Sequence, residues 1–170
     1  METNTTARFR LTVLAVTAAM AIAAATTLAT CAWAGTQEPP NARGRYLVRI
    51  GGCNDCHTGG YMEKTGAVPE QEWLTGDALG WQGPWGTTYA PNLRLFVRTV
   101  DEEGFVRMAR TRDFRPPMPT ANLRAYTDAD LRAIYRYVRA LGPAGAPAPA
   151  WVPPGRPVSG PVVRFPAPEQ

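Results

Sequence analysis

The sequence predicts a small helical domain threaded by long ordered loops. Three stretches carry helical periodicity with start and stop signals, and the segments between and after them are punctuated by Gly and Pro. At 170 residues the chain holds one domain's worth of polypeptide. With 45% hydrophobic and 19% charged residues it can bury a core, which rules out wholesale disorder. The 16 Gly and 17 Pro rule out a long helical bundle.

The first predicted helix runs from about Ala42 to Gly51, with Tyr46, Leu47 and Ile50 as its apolar stripe. Gly51-Gly52 loosens the backbone before Cys53. Residues 58–98 are rich in Gly, Pro and Trp without a sustained period, and read as a long ordered loop. A second helix is expected over 100–111, capped by Thr99 with Glu102 as its capping-box partner and with Phe105, Met108 and Ala109 inward. The third begins at the cap Thr127, repeats Leu131, Ile134, Val138 and Leu141, and stops at Gly142-Pro143. Residues 142–170 hold nine prolines, so they form neither a central strand nor a helix interior. Trp151, Val152, Val162, Val163 and Phe165 mark this tail as lying on the surface of the fold, which a free linker does not require.

The N-terminus reads as an export signal. Arg8 and Arg10 precede a run without charge from Leu11 to Gln37, which includes a small-x-small site at Ala32-Trp33-Ala34. Residues 1–34 are therefore expected to be a signal peptide, followed by a domain over 35–142 and a Pro-rich tail over 143–170. The run is long enough to span a bilayer, so a retained anchor is one alternative. Lipid attachment at Cys31 is another, and the remaining reading discards Cys31 with the leader. The expected compartment is periplasmic, with membrane attachment only through the leader or Cys31. The net charge of +4 is too small and dispersed to indicate a nucleic-acid binder.

The chemistry sits in Cys53-Asn54-Asp55-Cys56-His57, a C-x-x-C-H run that is the attachment signature of c-type haem. Two thiols three positions apart on a helical turn can each add to one vinyl group on a haem edge. The next residue, His57, is then held under the iron as proximal ligand. Structural zinc needs four donors, and this stretch offers two Cys and the chain's only His. A thioredoxin-like dithiol needs a βαβ context that the pattern lacks. Because His57 is the sole His, ligation by two His of one chain is impossible. Among the methionines, Met62 lies too close to His57 to reach the opposite face easily, and Met108 reads as core filler. Met118, in Arg115-Pro116-Pro117-Met118-Pro119, sits in a loop stiffened by proline. Met118 is the expected distal ligand, with Met108 or an open position as the alternatives.

With these residues in place the chain resembles a class I c-type cytochrome, and is similar to the cytochrome subunits of bacterial membrane-bound alcohol and aldehyde dehydrogenases. The matching stretches are Gly44–Arg49 leading into the C-N-D-C-H-T run, P-W-G-T-T-Y-A-P-N-L at 84–93, D-E-E-G-F-V-R-M-A-R at 101–110, and P-P-M-P followed by 127–138. The resemblance implies an all-α, class I cytochrome c-like fold with one covalently bound haem c. It also implies thioether attachment at Cys53 and Cys56, and His57 and Met118 as axial ligands. The function expected is one-electron transfer in the periplasm from a dehydrogenase or other donor to a respiratory acceptor such as an oxidase or another cytochrome, without enzymatic activity. The alternative is a haem enzyme or gas-binding protein with an open or labile sixth position. A third reading is a metal-binding or thiol module. Arg107, Arg110, Arg112, Arg115 and Arg124 flank the Met118 loop, either as a positive rim for an acidic partner or as ordinary solvated cations. Trp81, Trp85 and Tyr89 either line the haem or anchor loops.

Overall fold

The computed structural model describes residues 39–166. The leader over 1–34 and Cys31, with its cleavage and lipid alternatives, lie outside the described residues. In chain order the described elements are helix α1 (Ala42–Ile50), helix α2 (Cys53–His57), a 3-10 turn (Glu70–Glu72), strand β1 (Gly80–Gly83), strand β2 (Gly86–Tyr89) and helix α3 (Leu93–Phe96). Helix α4 (Glu102–Thr111), helix α5 (Thr120–Ala125), helix α6 (Asp128–Ala140) and strand β3 (Val162–Arg164) follow.

The three strands overturn the all-α expectation. The described residues form a mixed α/β fold, 39% helical and 11% strand, with a sheet in the order β2-β1-β3. A two-residue turn, Pro84-Trp85, folds β1 back antiparallel on β2, with Trp81 opposite Thr88 and Gln82 opposite Thr87. β3 joins the other side of β1 in parallel, with Gly80 opposite Val162 and Gln82 opposite Arg164. Each strand is four residues or fewer, and both hairpin strands contain Gly, which weakens any period-two signal. The third strand comes from the Pro-rich tail and sits at an edge, where proline in the flanks is tolerated.

α1 and α6 form the most extensive helix pair, and they meet at a glycine. A Cβ on Gly44 would run into the backbone carbonyl of Ala133 and the side chain of Tyr137. Only hydrogen at that position lets the two backbones approach so closely. The buried face of α1 is Gly44, Leu47 and Val48, whereas Tyr46 and Ile50 of the expected stripe are more than half exposed. Against it α6 packs Leu131, Ile134, Tyr137 and Val138. α6 starts as its sequence predicts, with the Thr127 hydroxyl accepting from the Asp130 amide at 3.1 Å. α4 does not. Its cap is Asp101, which accepts from the Gly104 amide at 2.6 Å, while the Thr99 hydroxyl donates to the Phe96 carbonyl at 2.8 Å. Val106 replaces the half-buried Met108 on its inward face.

Two charged groups lock the helices to the loops. Arg94 in α3 is buried, and its guanidinium donates to the carbonyls of Gln71 (2.5 Å), Leu141 (2.5 Å) and Gly142 (2.6 Å). It thus satisfies carbonyls at the end of α6, where the helix dipole favours a cation. Glu70 accepts from Tyr137 Oη at 2.7 Å and from Arg45 Nε at 2.7 Å, tying the 3-10 turn to α6 and α1. Burial raises the Glu70 pKa, but the hydrogen bonds from Tyr137 and Arg45 outweigh it, and the net shift is downward.

Two outcomes follow. Gly44→Ala is expected to destabilise the fold by about 1–3 kcal/mol, as overpacking does. Chemical denaturation measures this, and an unchanged midpoint would place the helix crossing elsewhere. Because the folded pKa of Glu70 is depressed, its contribution is present above the unfolded value of 4.5 and is lost as pH falls through the lower folded value. Unfolding midpoints taken between neutral and acid pH should therefore decline less steeply for Glu70→Gln than for the wild type.

Candidate functional site

α1 ends at Gly51, and Gly52, with φ 68°, turns the chain into α2. A side chain rarely adopts that conformation, and Gly adopts it without strain. The turn places Cys53 and Cys56 one helical turn apart, both partly exposed and not joined in a disulfide, with His57 directly after them. Asn54 points the other way. It is buried, and its Oδ1 accepts from the Thr58 hydroxyl at 2.8 Å, which in turn accepts from the Leu74 amide at 2.8 Å.

The loop over 73–76 braces this turn. Gly76 N donates to the His57 carbonyl at 2.8 Å, and the Leu74 carbonyl accepts from Leu93 N at 3.0 Å. Leu74 is fully buried at φ 60°, a left-handed conformation that costs a branched residue about 1–2 kcal/mol. The surrounding packing holds it there, so the strain is stored where α2 meets the segment that follows β2.

That segment supplies the decisive contact. The His57 ring is buried, and its Nδ1 lies 2.8 Å from the Pro91 carbonyl oxygen. A carbonyl only accepts, so Nδ1 carries the proton and Nε2 keeps a lone pair for a metal. Burial lowers the His57 pKa, against the opposing effect of the Pro91 hydrogen bond. The neutral ring, the form that binds metal, is thereby favoured. Burial also pushes the Cys53 thiol up to about 11, and it raises Cys56. Both shifts are the reverse of those that activate a redox thiol.

Cys53, Cys56, His57 and Met118 line one cavity of about 650 Å³. Its volume is that of a site for a cofactor or drug-sized ligand. The walls are mostly apolar, with Phe105 and Ile134 among them. Met108, the alternative thioether, also borders the cavity, whereas Met62 is exposed and does not. Of the five arginines near the Met118 loop, only Arg112 and Arg115 reach the cavity. Arg110 pairs with Asp128 at 2.6 Å and bonds the Arg124 and Tyr126 carbonyls, and Arg124 pairs with Asp113 at 2.7 Å. Trp81 and Tyr89 line the cavity, while Trp85 packs on Phe165 of the tail, ring centroids 5.3 Å apart.

The residues present fit a haem. The cavity brings two thiols, one imidazole with a free Nε2 and the thioethers of Met118 and Met108 to a single apolar space. Trp81 Nε1 is buried at this wall without a hydrogen-bond partner. An orphaned indole N–H costs about 1–3 kcal/mol, and a haem carries carboxylates able to accept it. Among the described residues no three His, Cys, Asp or Glu side chains converge as a metal-ligand set.

Two contributors escaped the sequence reading. Pro91 acts through its carbonyl, which side-chain chemistry does not signal. Trp151 lines the cavity from the tail, and only its isolated position among prolines hinted at an anchoring role. Comparisons with protein-family models, curated proteins and solved structures return no match.

Trp81→Phe keeps the ring and deletes the N–H. If a cofactor carboxylate is its partner, the substitution lowers the stability of the haem-loaded protein by about 1–3 kcal/mol. An unchanged thermal midpoint would leave the Trp81 N–H without that partner.

Proposed function

We propose that this chain is a mono-haem c-type cytochrome that carries single electrons. The observation that carries the reading is the convergence of Cys53, Cys56, His57 and Met118 on one cavity, with His57 Nδ1 tied to the Pro91 carbonyl. Cys53 and Cys56 would hold the haem covalently, each sulfur as a thioether to one side of its edge. The haem so held supplies reversible one-electron redox chemistry. His57 offers Nε2 to the iron in an orientation fixed by Pro91 and by the brace from Gly76 to its own carbonyl. Met118 offers a soft thioether, which favours the ferrous state and raises the potential relative to two imidazoles. The apolar lining excludes water and disfavours the extra ferric charge. If His57 and Met118 both hold the iron, small molecules would have no free coordination site there, which makes electron transfer the natural role.

Export to the periplasm, a dehydrogenase or other donor, and an oxidase or cytochrome acceptor belong to the same proposal. Among the described residues no helix is long and apolar enough to cross a membrane.

Expressed with its leader in a host that has haem-attachment machinery, the protein is expected to stain for covalent haem on a denaturing gel. It should show the far-red ferric band of Met–iron ligation and no reaction with carbon monoxide. Cys53→Ala with Cys56→Ala should abolish the covalent stain. Met118→Ala should remove the far-red band, lower the midpoint potential and admit carbon monoxide. A colourless exported protein refutes the proposal, and an unchanged spectrum in Met118→Ala transfers the ligand role to Met108.

A further inference from the structure

The Pro-rich tail reaches the Met118 loop at one point. Trp151 Nε1 donates to the Trp85 carbonyl at 3.0 Å, and the next residue, Val152, pairs with Thr87 through two backbone hydrogen bonds of 2.8 and 3.0 Å. The close approach requires Gly86, where a Cβ would strike the Val152 carbonyl. Held in this way, the Trp151 ring lies under the Arg115 guanidinium, whose central carbon is 4.1 Å from the ring centroid. Arg115 begins the run Arg115–Pro119 that carries Met118, and the Met118 amide donates back to the Arg115 carbonyl at 3.2 Å. The loop has one further tie to the hairpin, from the Thr88 hydroxyl to the Pro116 carbonyl at 2.6 Å. The loop is otherwise exposed at Arg112, Asp113, Arg115 and Pro116.

We infer that the tail is a latch on the Met118 loop: Trp151, anchored to the hairpin, holds Arg115 and thereby keeps Met118 in place at the cavity. Trp151 and Arg115 are positioning residues, and the latch sets how readily Met118 gives way to a competing ligand. The inference rests on Met118 being the distal ligand. It adds that a segment outside the helical half controls that ligand's hold.

The test is competition by imidazole for the ferric iron of the full-length haem-loaded protein, together with hydrogen exchange of the Arg115, Met118 and Thr120 amides, the N–H groups that the run over 115–120 offers. Trp151→Ala should raise the apparent imidazole affinity roughly fivefold, on the scale of an exposed cation–π contact with its supporting hydrogen bond, and speed exchange at those amides. Trp151→Phe retains a ring face for Arg115 and should recover most of the wild-type behaviour. Arg115→Gln should reproduce the Trp151→Ala shift, and the double variant should add little to either, because both act through one contact. Unchanged imidazole affinity and exchange in Trp151→Ala overturn the latch. Additive effects overturn it too, because they assign Trp151 a separate influence on the haem. If Trp151→Ala fails to fold, Arg115→Gln and Trp151→Phe decide on the same two readouts. A wild-type protein without the far-red Met–iron band refutes the ligand assignment before any variant is made, and the latch is then judged by loop exchange alone.

Discussion

The hydrogen bond from His57 Nδ1 to the Pro91 carbonyl fixes the arrangement of the cavity. It sets the tautomer of the chain's sole imidazole, and it joins the segment after β2 to a helix of only five residues. α2 is too short to hold a geometry by itself, since a single helical turn is unstable in water. Its stability is borrowed from neighbours. Asn54 and Thr58 tie it to Leu74, Gly76 supports it through the His57 carbonyl, and Leu74 in turn receives the amide of Leu93. The left-handed Leu74 shows how strongly this neighbourhood is determined, because a buried branched residue stays in that conformation only when many contacts hold it.

What could be read in the sequence follows the length scale of each signal. α6 announces itself through thirteen residues of helical period, a Thr cap and a Gly-Pro stop. The C-x-x-C-H run and the Pro-flanked Met118 were legible because rare residues stood in a short pattern. Tyr46 and Ile50 misled, because α1 turns a glycine to its partner helix and leaves two large apolar side chains outside. A glycine has no side chain, so an apolar-stripe argument passes over the residue that makes the contact. The sheet was hidden for another reason. Four-residue strands with glycine fall below the window in which alternation can be detected, and β1 finds its parallel partner far along the chain. Pro91 went unread because backbone carbonyls carry no identity in a sequence.

The cavity stands between the two halves of this mixed architecture. Phe105 and Ile134 contribute from α4 and α6, Trp81 and Tyr89 from the hairpin, and Trp151 from the tail. The helical half is tied at its own periphery by Arg132 with Glu103 and Arg136 with Glu102, pairs exposed enough that each adds little stability. The buried Arg94 is a different case, since it replaces water at carbonyls that would otherwise end α6 unsatisfied. Packing and backbone satisfaction, more than surface charge, hold the walls in place.

The hairpin is clasped on both flanks by the same terminal stretch, with Val152 against β2 and β3 against β1. A polypeptide is made from its amino end, so both rims stay bare until the stretch over 152–164, which follows the hairpin by more than sixty residues, has been made. The helices can assemble around α2 earlier, with the wall that includes Trp151 still missing. The prolines near each rim leave few free amides on which a neighbouring copy could extend the sheet, so the segment that completes the hairpin also caps it.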